Sequence, residues 1–226
     1  MRTFVIGDIH GAHKALVQCL ERAQFDYEKD KLICLGDVCD GWPETKQAID
    51  ELMRIKNLKY ILGNHDYWTL EWMKYGIADD SWLTQGGRAT VQSYMNMPDS
   101  THQEFLASAP FYFVRNNSLF VHAGFDPLLP VDQQGMDMFL WDRTLARQAL
   151  HYHDRSIDSP ITDFTEVFIG HTPISFRTPI QGGGIWLMDT GAGWTGTLSM
   201  MDVETKKVFQ SDAVPSLYPG KRGRMG

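Results

Sequence analysis

Over the first 75 residues the apolar positions switch between two periods. Thr3–Gly7 is a short β-branched apolar run, and after it Ala15, Leu16, Cys19, Leu20 and Ala23 recur three and four apart, as on one face of a helix. Lys31–Leu35 is a second apolar run. Ile49, Leu52, Met53 and Ile55 then mark another helix downstream of Pro43, whose fixed φ suits a helix start. Leu58–Leu62 is a third run, and the helical stretch after it carries Trp68, Trp72 and Tyr75 at a spacing that predicts a core-facing helix. Strand, helix, strand, helix, strand predicts a parallel α/β sheet.

Residues 78–110 are less regular, with helical patterns at Ala89–Tyr94 and Gln103–Ala109. The second half holds more strand-like runs: Phe111–Val114, Leu119–His122, Val167–Ile169, Ile185–Met188, Leu198–Val203 and Lys207–Gln210. Their close spacing and Gly and Asn turns predict an antiparallel second sheet or sheet half. No repeat or long linker interrupts the pattern, so residues 1–218 read as one domain. Residues 219–226 carry Lys221, Arg222 and Arg224 between glycines and are expected to form a flexible basic tail.

Composition narrows the class. With 226 residues, 43% apolar and 22% charged, the chain is of the soluble globular kind and excludes disorder, collagen and coiled coil. The formal net charge of −7 argues against nucleic acid and anionic membranes as partners. The three cysteines (Cys19, Cys34 and Cys39) are odd in number and form no CxxC pair, which fits a reducing compartment. The apolar run at residues 3–6 is too short for a signal-peptide core or a membrane span, so a cytoplasmic protein is expected.

The chemistry sits at the strand ends. Three runs finish in a glycine followed by metal-ligand types: Gly7-Asp8-Ile9-His10, Gly36-Asp37-Val38-Cys39-Asp40 and Gly63-Asn64-His65-Asp66. Two later runs end in His122-Ala123-Gly124 and Gly170-His171-Thr172. In a parallel sheet the carboxyl ends of neighbouring strands share one edge, where ligands bind. Asp8, His10, Asp37, Asn64, His122 and His171 then form a carboxylate, imidazole and amide set suited to manganese, iron or zinc. Six donors exceed what one catalytic ion needs and divide over two ions sharing a carboxylate, the clamp used for phosphate ester hydrolysis.

These five blocks, in this order, resemble those of the calcineurin-like metallophosphoesterases, and within them the phosphoprotein phosphatase branch, over about residues 4 to 195. The resemblance implies a calcineurin-like α/β fold, with two mixed β-sheets packed face to face and flanked by helices. It implies that Asp8, His10 and a bridging Asp37 hold one divalent ion, with manganese the first choice. Asp37, Asn64, His122 and His171 would hold the second. His65 would protonate the leaving oxygen and Asp40 would orient it, while Asn64 and Arg143, in Trp141-Asp142-Arg143, would contact the phosphoryl group.

Two positions depart from the family pattern. Gly41 and Trp42 follow Asp40 where the family has an arginine and then a glycine, which removes a bidentate phosphate donor. Arg88, in a glycine-flanked loop, is the candidate replacement. Asp66 stands where the family has glutamate, and Trp42 and Trp194 are candidate cleft walls. The expected substrate is a phosphorylated protein at serine or threonine. A dinucleoside polyphosphate is the alternative, and a non-catalytic metal-binding module is the rival from another class.

Overall fold

The three early apolar runs are β1 (Thr3–Ile6), β2 (Lys31–Cys34) and β3 (Asn57–Tyr60). They pair in parallel, β1 with β2 and β2 with β3. The connections are helices α1 (His13–Arg22) and α2 (Thr45–Met53), the long crossovers that parallel neighbours require. This is a computed structural model, which describes residues 1–224. The later strands are β4 (Tyr112–Arg115), β5 (Ser118–Val121), β6 (Glu166–Ile169), β7 (Ile180–Gly182), β8 (Ile185–Leu187), β9 (Ser199–Asp202) and β10 (Val208–Gln210).

Two five-stranded sheets result, ordered β10-β9-β1-β2-β3 and β4-β5-β6-β8-β7. Both are mixed. Of the runs expected in a second sheet or sheet half, 198–203 instead joins the first sheet as β9, antiparallel to β1, and 207–210 lies outside it as β10, antiparallel to β9. The second sheet is not antiparallel throughout: β5, β6 and β8 run parallel. Close strand spacing misleads here because the helix Thr144–Asp154 intervenes between β5 and β6 as a crossover. Within this sheet β4 with β5 and β7 with β8 are hairpins, and β7 escaped the hydrophobic pattern because it is three residues long and ends in glycine.

Alternation along each strand assigns its side chains to two layers. From β1 and β2, Phe4, Ile6, Leu32 and Cys34 pack under α1 and α2, where Leu16, Leu20, Ile49 and Leu52 close the outer core. Val5 and Ile33 face the other sheet and meet Phe120 and Phe168, which stack with ring centroids 4.9 Å apart. Leu119, Val121, Val167 and Ile169 point the opposite way, onto the helix Thr144–Asp154. The sandwich between helices therefore has three apolar layers.

Helix α3 (Asn64–Tyr75) buries Trp72 but leaves Tyr75 68% exposed, so only part of the aromatic stripe faces the core. The stretch from residue 219 does not fray as far as it is described. Arg224 N donates to Gly193 O at 2.7 Å, and Gly223 packs against Trp42, which itself stacks on Tyr218. Met225 and Gly226, the last two residues of the expected tail, lie outside the described residues.

Phe120→Ala removes a fully buried ring from the layer between the sheets. The expected loss is about 3–5 kcal/mol, or roughly 10 °C in Tm for a domain of this size, read by thermal denaturation. A shift under about 2 °C would show that the two sheets do not depend on this contact.

Candidate functional site

Each ligand-type residue follows a strand end, and the two sheets bring those ends to one seam. Asp8 follows β1, Asp37 follows β2, Asn64 follows β3, His122 follows β5 and His171 follows β6. All five are buried, as is His10. Four of the site residues hold left-handed backbone, His10 at φ 50°, Asp37 at 51°, Asp40 at 72° and His171 at 60°. Asp and His enter this region more readily than most residues, and such strain gathers at functional sites. Gly63 and Gly170 are needed for close approach, because a Cβ on either would overlap the carboxylate of Asp37 or Asp8.

Second partners fix the imidazoles. His10 Nδ1 lies 3.0 Å from Cys39 O, and His122 Nδ1 lies 2.8 Å from Leu35 O. A carbonyl only accepts, so each Nδ1 carries the proton and each Nε2 keeps its lone pair for the seam. Burial pushes both rings toward the neutral form, His122 down to about 4. His122 Nε2 stands 3.0 Å from Asn64 Oδ1, so two acceptors face each other. Asp37 Oδ1 accepts from His65 N at 2.9 Å, but Asp37 Oδ2 is buried with no hydrogen-bond partner. It lies 3.8 Å from His10 Nε2 and 3.5 Å from His122 Nε2.

Facing lone pairs and an orphaned carboxylate oxygen are what a cation would satisfy. Two groups have donor atoms within 4.8 Å of one another, Asp8 with His10 and Asp37, and Asp37 with His122 and His171. They share Asp37. Burial raises the Asp8 carboxyl, and the neighbouring Asp189 and Asp37 raise it further. Burial also raises Asp37 and lowers His171. The donors are oxygen and neutral imidazole nitrogen, a set that suits a divalent ion such as manganese, iron or zinc.

Asp66 organises the loop that presents Asp37. Its carboxylate accepts from the N–H groups of Asp37 at 2.7 Å, Val38 at 3.0 Å, Cys39 at 3.2 Å and Gly63 at 3.0 Å, and from the Tyr60 hydroxyl. The shorter side chain in place of the family's glutamate thus holds the turns after β2 and β3 together. His65, next along α3, donates Nδ1–H to Asp40 Oδ2 at 2.7 Å, which turns Nε2 toward the seam beside His10. Burial pushes the His65 ring down to about 4 and the Asp40 carboxyl up, while Thr90 and Trp82 draw Asp40 back. Trp82 Nε1 and Thr90 Oγ1 each donate to Asp40 at 2.7 Å.

Arg143 is half-buried, and its Nη1 donates to His171 O at 3.2 Å and Thr172 Oγ1 at 3.3 Å, which sets it at the rim of the seam. Arg88 is exposed, and the residues of its segment that reach the site are Gln85 and Gly86, through their carbonyls, and Thr90. The helix beginning at Arg88 turns Thr90 inward and leaves the arginine outward, so Arg88 is not brought into the site. Trp42 is packing, buried and donating to Ala192 O at 2.7 Å, whereas Trp194 faces His10 with centroids 5.9 Å apart.

Sequence reasoning missed Asp189, Trp82, Thr90 and Arg224. Asp189 follows β8 as Asp8 follows β1, is buried, and has an unpartnered Oδ2; its strand-end position was a usable signal. Trp82 and Thr90 offered none, since nothing in their local pattern points at Asp40. Arg224 reaches the site from the last described stretch, with Nη1 3.4 Å from His10 Nε2.

Comparison with known proteins bears on the family and the fold. A symmetrical bis(5'-nucleosyl)-tetraphosphatase of Psychromonas ingrahamii is 32% identical, over 92% of this chain and 96% of the relative. For several other curated relatives the chain spans only 42% of their length. A solved structure provisionally named a diadenosine tetraphosphatase superposes with a TM-score of 0.65, at 18% identity, over 92% of both chains. A protein serine/threonine phosphatase from Saccharomyces cerevisiae shares the fold with a TM-score of 0.60 at 13% identity, over 93% of this chain and 79% of that one. The sequence profile of the calcineurin-like phosphoesterases matches residues 1–201, and the chain belongs to that family of hydrolases.

Proposed function

We propose that this chain is a metal-dependent hydrolase of dinucleoside polyphosphates. Asp8, His10 and Asp37 hold one divalent cation, and Asp37, Asn64, His122 and His171 hold a second. The observation that carries this reading is the buried Asp37 Oδ2, without a hydrogen-bond partner among the described residues and facing the Nε2 atoms of His10 and His122 at 3.8 and 3.5 Å. When bound, a cation pair supplies Lewis acidity toward a phosphoryl oxygen and a water that is nucleophilic near neutral pH. Manganese is our first assignment for both ions.

The chain's own groups position and protonate. Arg143 binds phosphoryl oxygens as a planar donor pair, held in place by the His171 carbonyl and the Thr172 hydroxyl. Once protonated at both ring nitrogens, His65 gives its Nε2 proton to the leaving oxygen and returns to the neutral ring, which Asp40 orients by accepting Nδ1–H. In a dinucleoside polyphosphate the broken bond is a P–O–P linkage. Water adds to one phosphorus and the other phosphate leaves with its oxygen, so the products are two nucleotides.

Two observations support nucleotides over phosphoprotein, which reverses the order expected from the motifs alone. Relatives at about 30% identity are named tetraphosphatases. An open cleft of about 830 Å³, lined by Phe176, Arg177, Thr190 and Trp194, adjoins the seam and offers aromatic and cationic surface to a nucleoside and its phosphates. The overall fold admits both substrate classes, since neighbours of each kind share it.

Metal analysis after manganese loading is expected to give two equivalents for the parent protein and fewer than one for Asp37→Asn. Saturating manganese should raise the parent Tm by about 5–10 °C and the variant's hardly at all. Two retained equivalents in Asp37→Asn would remove its bridging role.

Under one metal condition, kcat/KM for diadenosine tetraphosphate should exceed that for a phosphoserine peptide by about tenfold or more, and the reverse order would reinstate phosphoprotein. His65→Asn should lower kcat about 100-fold or more on the phosphoserine peptide, whose alkoxide needs a proton. The loss should be much smaller on p-nitrophenyl phosphate, whose leaving group is stable as an anion. Loss of a metal equivalent in that variant would make His65 a ligand instead.

A further inference from the structure

The motif position after Asp40 is Gly41, and its backbone sits at φ 103°, a region closed to a side-chain-bearing residue such as arginine. The space is nevertheless filled by an arginine. A Cβ built on Gly41 would meet Arg224 Cγ at 3.0 Å and Arg224 N at 3.4 Å, so the Arg224 side chain runs where a residue-41 side chain would start. We infer that Arg224 is the phosphate-binding arginine of this site, delivered from 183 residues further along the chain. The inference rests on the phosphoesterase reading above and identifies one more residue that touches its substrate.

The guanidinium is held as a ligand-binding group would be. Nε donates to Gln85 O at 3.2 Å, the backbone N donates to Gly193 O at 2.7 Å, and the charged plane lies over the Trp194 ring, 4.4 Å from its centroid. Nη1 points into the seam, 3.4 Å from His10 Nε2. Among the described residues no carboxylate pairs with it, so its charge is left for a ligand. The cradle requires missing side chains on several segments. A Cβ on Gly193 would meet the His10 ring at 2.5 Å and Arg224 Cδ at 3.3 Å, and one on Gly223 would meet Trp42 at 2.8 Å.

The test uses inorganic phosphate as probe, titrated calorimetrically into manganese-loaded parent protein, Arg224→Gln and Arg224→Lys. Metal content and Tm are measured alongside. Arg224→Gln should keep two metal equivalents and its melting point but bind phosphate about 10- to 100-fold more weakly. Arg224→Lys should recover only part, because an ammonium lacks the bidentate fork. On p-nitrophenyl phosphate the loss should appear in kcat/KM. Unchanged phosphate affinity in either variant overturns the inference. So does a rise in activity or affinity, which would mark Arg224 as a plug over the cation site. Loss of bound metal in Arg224→Gln would overturn it too, by assigning the residue to the cradle itself. Should Arg224→Gln melt lower, Trp194→Leu becomes the arbiter: removing the platform should weaken phosphate binding by a smaller factor with the melt unchanged, and full affinity there is again fatal. The two readings fail separately. A parent protein that binds phosphate through Arg224 yet cleaves no phosphoester sinks the enzyme reading alone, and one that turns over while ignoring Arg224 sinks this inference alone.

Discussion

Burying Asp8 and Asp37 side by side at the seam of two sheets is the constraint around which the molecule is arranged. Among the described residues neither carboxylate forms an ion pair with a lysine or arginine, and a third acid, Asp189, stands close enough to raise Asp8 further. Unpaired charge in such surroundings is costly, and proteins tolerate it where an ion is to be held. The surrounding features follow from keeping those oxygens free. The histidines spend one nitrogen on a carbonyl, and Asp66 takes up the N–H groups that would otherwise compete for Asp37. Four left-handed residues keep the side chains turned inward, at a local cost of roughly 1 kcal/mol or more each that the packed sheets must overcome.

Much of this was legible in the chain because the strand ends announce it. Apolar runs closing on Gly-Asp, Gly-Asn-His, His-Ala-Gly or Gly-His-Thr mark the five strand-end positions of the seam, and the runs themselves give the first three strands within a residue or two. What escaped has a common physical cause. The strand at 199–202 pairs with β1 across nearly 200 residues of sequence and carries 208–210 at its outer side, and no local period encodes a long-range partner. Arg88 looked well placed because glycines surround it, yet the helix phase there sends Thr90 inward instead. Trp82 holds Asp40 from a short turn with no motif of its own.

Charge shows the same contrast between the average and the local. The chain carries seven more acids than bases, which at first argues against a polyanionic substrate. At the seam the balance is different, with Arg143 at one rim and Arg224 at the other, and Arg177 lines the adjoining cleft. Field lines in a cleft are set by its own walls more than by the far surface. An acidic protein can therefore attract phosphates where it matters, while its outer surface repels other polyanions.

The place of Arg224 also bears on how such chains are compared. Family similarity extends over residues 1–201, and a guanidinium contributed from residue 224 lies beyond that span. Aligned column by column, the chain looks like a member that has shed a conserved-type side chain and so decayed. On the inference drawn for Arg224, the group has been relocated within the fold rather than lost. Ancestry can thus preserve the position of a charge in the fold while the codon that supplies it migrates, and a tally of missing motif letters would count such an exchange as a defect.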